Sequence, residues 1–158
     1  MRGLFVYRLL SIVVNMFSAF FAFFLPLGLF ALFMNPSMGI TIFIMLCFVL
    51  YAWFANRFLR QVIINQETFT KRNKDWLQVN AIVAFLVSVF SICSSAYHIT
   101  HPASLKDLTD MLTENNIQQS AQLIRNSLII SICISAVFVI HIVWTIVLVR
   151  SHKDHIID

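Results

Sequence analysis

The chain has 158 residues, of which 59% are hydrophobic and 11% are charged, and its formal net charge is +4. Soluble domains contain about 25% charged residues, so this composition indicates a membrane protein. The long apolar stretches occupy most of the chain and leave no room for a separate soluble catalytic domain. No nucleic-acid-binding motif accompanies the positive charge, and we expect no nucleic-acid partner. We predict a single membrane domain, residues 1–158, that is entirely α-helical.

Four long apolar stretches indicate four membrane-spanning helices. Each stretch is at least as long as the roughly 20 residues that a helix needs to cross the hydrocarbon core. The predicted spans are residues 9–34, 38–58, 77–97 and 128–149, with an inner loop at 59–76 and an outer loop at 98–127. We therefore predict an antiparallel four-helix transmembrane bundle.

The first stretch also has features of a secretory signal peptide, because Arg2 and Arg8 precede or open its apolar run. The run continues to Met34, however, and a signal core spans only about 7–15 residues. We interpret it as a retained signal-anchor helix. The Asn35-Pro36 turn that follows predicts a tight hairpin between the first two spans.

The basic residues are distributed asymmetrically about these spans. Lys106 and Arg125 lie in the outer loop, and the other nine basic residues fall on the opposite side: Arg2, Arg8, Arg57, Arg60, Lys71, Arg72, Lys74, Arg150 and Lys153. The positive-inside rule then places both termini in the cytoplasm, and we expect the plasma (inner) membrane. Five basic residues at the end of the second span and in the inner loop are expected to contact anionic headgroups or an acidic cytoplasmic partner: Arg57, Arg60, Lys71, Arg72 and Lys74.

The outer loop contains the pattern of a short amphipathic helix. Ser104 followed by Asp107 resembles a capping box, and we expect Ser104 to be the N-cap. Leu105, Leu108, Met111 and Leu112 recur at helical spacing, opposite Asp107, Asp110 and Glu114. Asn115-Asn116 is expected to end this helix.

In a membrane, apolar side chains are as stable against lipid as against protein, so hydrophobicity does not show which helix face is buried. Small and polar residues do, because they allow close approach and interhelical hydrogen bonds. Three spans carry such a stripe: Ser11, Asn15, Ser18, Ala22 and Pro26 in the first; Asn80, Ala84, Ser88, Ser91, Ser94 and Ser95 in the third; Ser127, Ser131, Ser135, His141 and Thr145 in the fourth. The second span has none, so we predict that it is peripheral. Phe17, Phe20, Phe24 and Phe30 of the first span are expected to face lipid or a partner.

His141 is the most informative polar residue, because an ionisable group within a span is costly and often functional. Asn15, Ser18 and Ser88 lie at a similar depth, and we predict an intramembrane polar cluster of these four residues. A neutral histidine that joins helices by hydrogen bonds is the favoured interpretation. A proton path, a ligand site or a metal site is the alternative.

His98 and His101 form an H-x-x-H pair that could share a metal ion, although interfacial histidines bonded to water or headgroups are the simpler interpretation. Cys47, Cys93 and Cys133 are expected to be buried thiols, since no C-x-x-C motif is present.

These patterns favour a non-enzymatic accessory, scaffold or interaction subunit without a cofactor. The expected partners are anionic lipids and either a second copy or a larger membrane protein. The alternatives are a small transporter, channel or proton-relay subunit that uses His141, and a membrane redox or metal-binding protein.

Overall fold

The computed structural model describes residues 2–114 and 121–157, and nearly all of them are helical. The helices are α1 (Arg2–Met34), α2 (Gly39–Phe58), α3 (Lys71–Thr100), α4 (Pro102–Glu114) and α5 (Ala121–Ser151). In the described part of the chain, four helices are long and apolar enough to cross a membrane, namely α1, α3, α5 and the helix that begins with α2. The predicted all-α class and the multi-pass membrane character are confirmed at this level. The orientation of the termini stays a prediction.

Helices α3 and α5 extend beyond their predicted spans at both ends, and α1 begins before its predicted span. A short 3₁₀ turn, Pro36–Met38, connects α1 to α2, and a π-helical segment, Leu59–Ile64, continues α2. Helix α3 already begins at Lys71, so the connection before it is shorter than the predicted inner loop. The difference arises because apolarity marks only the hydrocarbon-spanning part of a helix, whereas backbone hydrogen bonds continue into the polar interface.

The predicted short helix between the third and fourth spans is present as α4, but it begins earlier than predicted. It begins at Pro102 rather than after Ser104, and proline suits the first helical turn because its missing N–H would have no partner there. Ser104 is therefore not the N-cap. The side chains of Leu108, Met111, Leu112 and Glu114, and the predicted break at Asn115-Asn116, lie outside the described residues.

Two very short strands join the connection before α3 to the segment after α5. Strand β1 (Phe69–Thr70) pairs in parallel with β2 (Ile156–Ile157), with Phe69 opposite Ile156. Phe69 is fully buried, and its ring meets Phe58 edge-on at 5.5 Å between centroids. Thr70 Oγ1 accepts a hydrogen bond from the Asn73 N–H at 3.4 Å, and so caps the start of α3.

The chain divides into two compact units. The first unit comprises Met1–Leu86 and Ile140–Asp158, and the second comprises Val87–Val139. Within the first unit α2 contributes a buried face: Ile42, Cys47, Phe48, Tyr51, Ala52, Ala55 and Phe58. The prediction that the second span is peripheral is therefore wrong. It relied on a stripe of small and polar residues, whereas the buried face of α2 combines large side chains with the small Cys47, Ala52 and Ala55.

Candidate functional site

Five polar side chains from three helices meet inside the first unit. Tyr7 and Ser11 belong to α1, Tyr51 to α2, and His141 and Thr145 to α5, and none of them is more than 5% exposed. We call these five residues the His141 network. The spacing explains why they share a face, because Tyr7 and Ser11, like His141 and Thr145, are four residues apart on one helix.

Both ring nitrogens of His141 have partners from other helices. Nε2 lies 2.9 Å from Ser11 Oγ, and Nδ1 lies 2.7 Å from the Tyr51 hydroxyl. The Tyr7 ring stacks on the imidazole with 5.0 Å between centroids and 4° between planes, while Tyr51 meets it edge-on. The ring is therefore fixed by contacts in its plane and on its face.

Thr145 connects the two tyrosines. Its Oγ1 lies 3.1 Å from the Tyr7 hydroxyl and 3.2 Å from the Tyr51 hydroxyl. It also donates a hydrogen bond to the His141 carbonyl oxygen at 2.8 Å, one turn earlier in α5. The hydrogen-bonded chain therefore runs from Ser11 through His141, Tyr51 and Thr145 to Tyr7.

A neutral imidazole, with one N–H donor and one acceptor nitrogen, allows two proton arrangements of this network. In the first, Ser11 donates to the Tyr7 carbonyl oxygen at 2.9 Å, Nε2–H donates to Ser11, and the Tyr51 hydroxyl donates to Nδ1. In the second, Ser11 donates to Nε2, Nδ1–H donates to Tyr51, and Tyr51 donates to Thr145. In both arrangements Thr145 donates to the His141 carbonyl and accepts from Tyr7. Each leaves one contact without a proton: Tyr51–Thr145 in the first, and Ser11 to the Tyr7 carbonyl in the second.

No carboxylate from the spans balances the network, because the sequence has no Asp or Glu in residues 2–66, 76–106 or 121–153. A charged histidine in a water-free interior requires a paired counter-charge. The arrangement therefore suits a neutral imidazole that acts as both donor and acceptor.

The other members of the predicted cluster have different surroundings. Asn15 is half-buried, and Ser18 is buried and donates to the Phe48 carbonyl oxygen at 3.4 Å. Ser88 belongs to the second unit, where its buried Oγ has no hydrogen-bond partner among the described residues. In the structure, the hydrogen-bond partners of the His141 nitrogens are instead Ser11 and Tyr51.

Sequence reasoning missed the two tyrosines of the network. Tyr7 and Tyr51 lie in apolar runs, where tyrosine is usually interpreted as an interfacial residue. A usable signal was present for Tyr7, because it precedes Ser11 by one helical turn and so extends the polar stripe of α1. No comparable signal distinguishes Tyr51 on α2.

The predicted histidine pair has local partners in the second unit. His98 Nδ1 lies 2.6 Å from Ser104 Oγ, and His101 Nδ1 lies 3.1 Å from the Tyr97 carbonyl oxygen. His101 also stacks on the Tyr97 ring at 4.3 Å. Within residues 2–114 and 121–157, no group of three or more His, Cys, Asp or Glu side chains is arranged to hold a metal ion.

The cysteines differ from the expectation of three buried thiols. Cys47 is buried in α2, but Cys93 and Cys133 are exposed at the protein surface. A thiol behaves as a small apolar side chain and is stable in contact with lipid. An apolar cysteine within a span therefore does not have to be buried against protein.

A hydrogen bond in the second unit joins two of the predicted polar stripes. Ser91 Oγ of α3 and Ser131 Oγ of α5 lie 3.0 Å apart. Both side chains are partly buried.

The predicted basic cluster lies at the end of α2 and the start of α3, in the first unit. Arg57, Arg60, Lys71 and Arg72 are exposed, and Lys74 is half-buried. The guanidinium groups of Arg57, Arg60 and Arg72 therefore belong to exposed side chains at the protein surface.

No protein-family model matches the chain, and neither a curated protein nor a solved structure matches it. The four apolar helices indicate a small multi-pass membrane protein. Any finer role has to be argued from the geometry of its residues.

Proposed function

We propose that this protein is a small, non-enzymatic membrane subunit that assembles with another membrane protein or with a second copy. One observation carries this proposal: the His141 network is closed. Both imidazole nitrogens are bonded to protein hydroxyls, and the residue is only 1% exposed. A general acid or base must come within hydrogen-bonding distance of a substrate, whereas these nitrogens already bond to α1 and α2.

The closed network is suited to holding three helices together. Four of its contacts join different helices, and an interhelical hydrogen bond in a membrane contributes about 0.6 kcal/mol on average, with a maximum near 2 kcal/mol. The stacked Tyr7 ring adds packing against the imidazole. These contacts stabilise one arrangement of α1, α2 and α5, and a fixed arrangement presents a defined surface to a partner.

The outer part of α1 supports the assembly role. In the most apolar 18-residue stretch of α1, only 6% of the residues are buried within the protein. The corresponding fraction is 28–33% in the other three candidate spans. Phe23 and Phe30 are 73% and 72% exposed. A span that contributes so little to its own protein's core has most of its surface available for contact with a partner helix.

The proposal is tested by isolating the intact protein in mild detergent and determining its assembly state by native mass spectrometry. We expect a stoichiometric complex, with a second copy or with one membrane protein, that dissociates when Phe23 and Phe30 are replaced by Ala. The matched control is Phe90→Ala on α3, where the ring is 74% exposed. A wild-type protein that is monomeric and free of protein partners in both detergent and nanodiscs would contradict the proposal.

A proton relay is the second candidate, and it is favoured by the two proton arrangements of the network. Changing from the first to the second transfers the Tyr51 proton to Nδ1 and the Nε2 proton to Ser11. Tyr51 then takes up one proton and Ser11 releases one, so one proton passes through the network. Reconstituted liposomes with an imposed pH gradient test this role. A wild-type proton flux that Tyr51→Phe abolishes would favour the relay, whereas flux no greater than that of protein-free liposomes would exclude it.

A further inference from the structure

A groove that the His141 network does not use lies between the end of α2 and the start of α3. Trp53 and Arg57 line it from α2, and Arg72 and Trp76 line it from α3. Its volume is about 590 Å³, and Thr70 and Asn73 also line it. All of these residues belong to the first unit.

The two arginines of the groove are available for an anion. Arg57 donates from Nε to Gln61 Oε1 at 3.3 Å, which uses one of the five N–H donors of a guanidinium. No carboxylate among the described residues forms a salt bridge with Arg57 or Arg72. Two guanidinium groups line this groove, and guanidinium N–H groups are donors well suited to phosphate oxygens.

The two tryptophans indicate where the anion comes from. Trp53 is 67% exposed and Trp76 is 46% exposed, beside the arginines. Indole rings prefer the headgroup level of a bilayer, where one end of the ring is apolar and the other is hydrated. A neighbouring groove of about 600 Å³ extends along α3 from Arg72 and Asp75 past Trp76 to Val79, which is an apolar position within the span.

We propose that this groove binds the headgroup phosphate of one anionic phospholipid. Arg57 and Arg72 bind the phosphate, and Trp53 and Trp76 flank the glycerol region below it. A soluble phosphate would gain nothing from the exposed indoles or from the apolar groove along α3, so a lipid is the occupant that fits all four residues. This site is separate from the proposed assembly surface on α1.

The experiment uses the full chain in nanodiscs that contain phosphatidylcholine with increasing phosphatidylglycerol. Bound lipids are counted by native mass spectrometry, and tryptophan fluorescence reports the occupancy of the groove. We expect one phosphatidylglycerol per chain to remain bound in preference to phosphatidylcholine. The pair Arg57→Gln and Arg72→Gln should weaken that binding by more than about tenfold, because both guanidinium groups lose their charge-assisted hydrogen bonds to the phosphate.

The control pair is Arg125→Gln and Arg150→Gln, which removes the same charge from exposed positions outside the groove. It should leave the retained lipid and the fluorescence change unaltered. Equal weakening in both pairs would overturn the proposal, because it would indicate general charge attraction. Displacement of the lipid by inorganic phosphate alone would also overturn it.

A variant that keeps the charge separates binding from folding. Arg72→Lys preserves the positive charge but loses the planar donor pair, so we expect intermediate lipid retention with unchanged thermal unfolding. Lipid retention equal to wild type in this variant and in the double Gln pair would contradict a phosphate site at these residues.

Discussion

A buried histidine in the first compact unit and a buried serine in the second are bonded very differently. In the first unit His141 has a partner on each nitrogen, and Thr145 contacts two tyrosine hydroxyls. In the second unit Ser91 and Ser131 share one bond, and the Oγ of the buried Ser88 has no partner among the described residues. The difference reflects the length of the side chains. Tyrosine and histidine carry polar atoms across an interhelical gap, whereas a serine hydroxyl reaches another helix only where two helices approach closely.

The largest expected effect is the loss of the residue at the centre of the His141 network. His141→Ala removes the partners of Ser11 and Tyr51 and leaves a cavity beside the Tyr7 ring, so the free energy of unfolding should fall by about 3 kcal/mol. Equilibrium unfolding in mixed detergent micelles measures the change. The control is Ile140→Ala, the preceding residue, whose side chain is 52% exposed. Similar losses in both variants would mean that the network contributes no more than an average span residue.

A smaller effect is expected when one hydroxyl is removed and the ring is kept. Tyr51→Phe retains the edge-on contact with His141 but leaves Nδ1 without a donor, and it should lower the free energy of unfolding by about 1–2 kcal/mol. The same unfolding assay applies. Tyr97→Phe is the matched control, since that ring is 54% exposed. An unchanged stability for Tyr51→Phe would show that the short Tyr51–His141 contact is energetically neutral.

The smallest effects should come from the second unit, and their sign distinguishes a buried serine without a partner from one that is hydrogen-bonded. Ser88→Ala deletes a buried hydroxyl that lacks a partner, so stability should stay the same or rise by up to about 1 kcal/mol. Ser131→Ala, which breaks the bond to Ser91, should instead lower it by about 0.6 kcal/mol. Thermal unfolding of both variants side by side checks the order. A clear loss of stability in Ser88→Ala would mean that this hydroxyl has a partner that the described residues do not provide.

The sequence is most informative where a single physical requirement dominates. Lipid demands long apolar helices, so the four spans are evident from their length, and the polar stripes correctly include Ser11, His141 and Thr145 among buried residues. Helix ends are less predictable, because polar residues such as Lys71 continue a helix into the interface without any change of pattern.

The partners of His141 could not be derived in the same way. Depth counting placed Asn15 and Ser18 beside it, but depth does not fix the rotation of one helix against another. That rotation determines that Ser11 rather than Asn15 bonds to Nε2. It also brings Tyr51, from a helix without a polar stripe, to Nδ1. These choices depend on how large side chains pack, which is a property of all three helices together.

The parallel pair of β1 and β2 has a consequence for the order in which this protein can be assembled. Phe69 leaves the ribosome long before Ile156, and more than half of the chain is synthesised between them. The pairing can therefore form only after α3, α4 and α5 have been synthesised. A spectroscopic probe of this contact would therefore report the packing of late-synthesised segments rather than the insertion of the first helices.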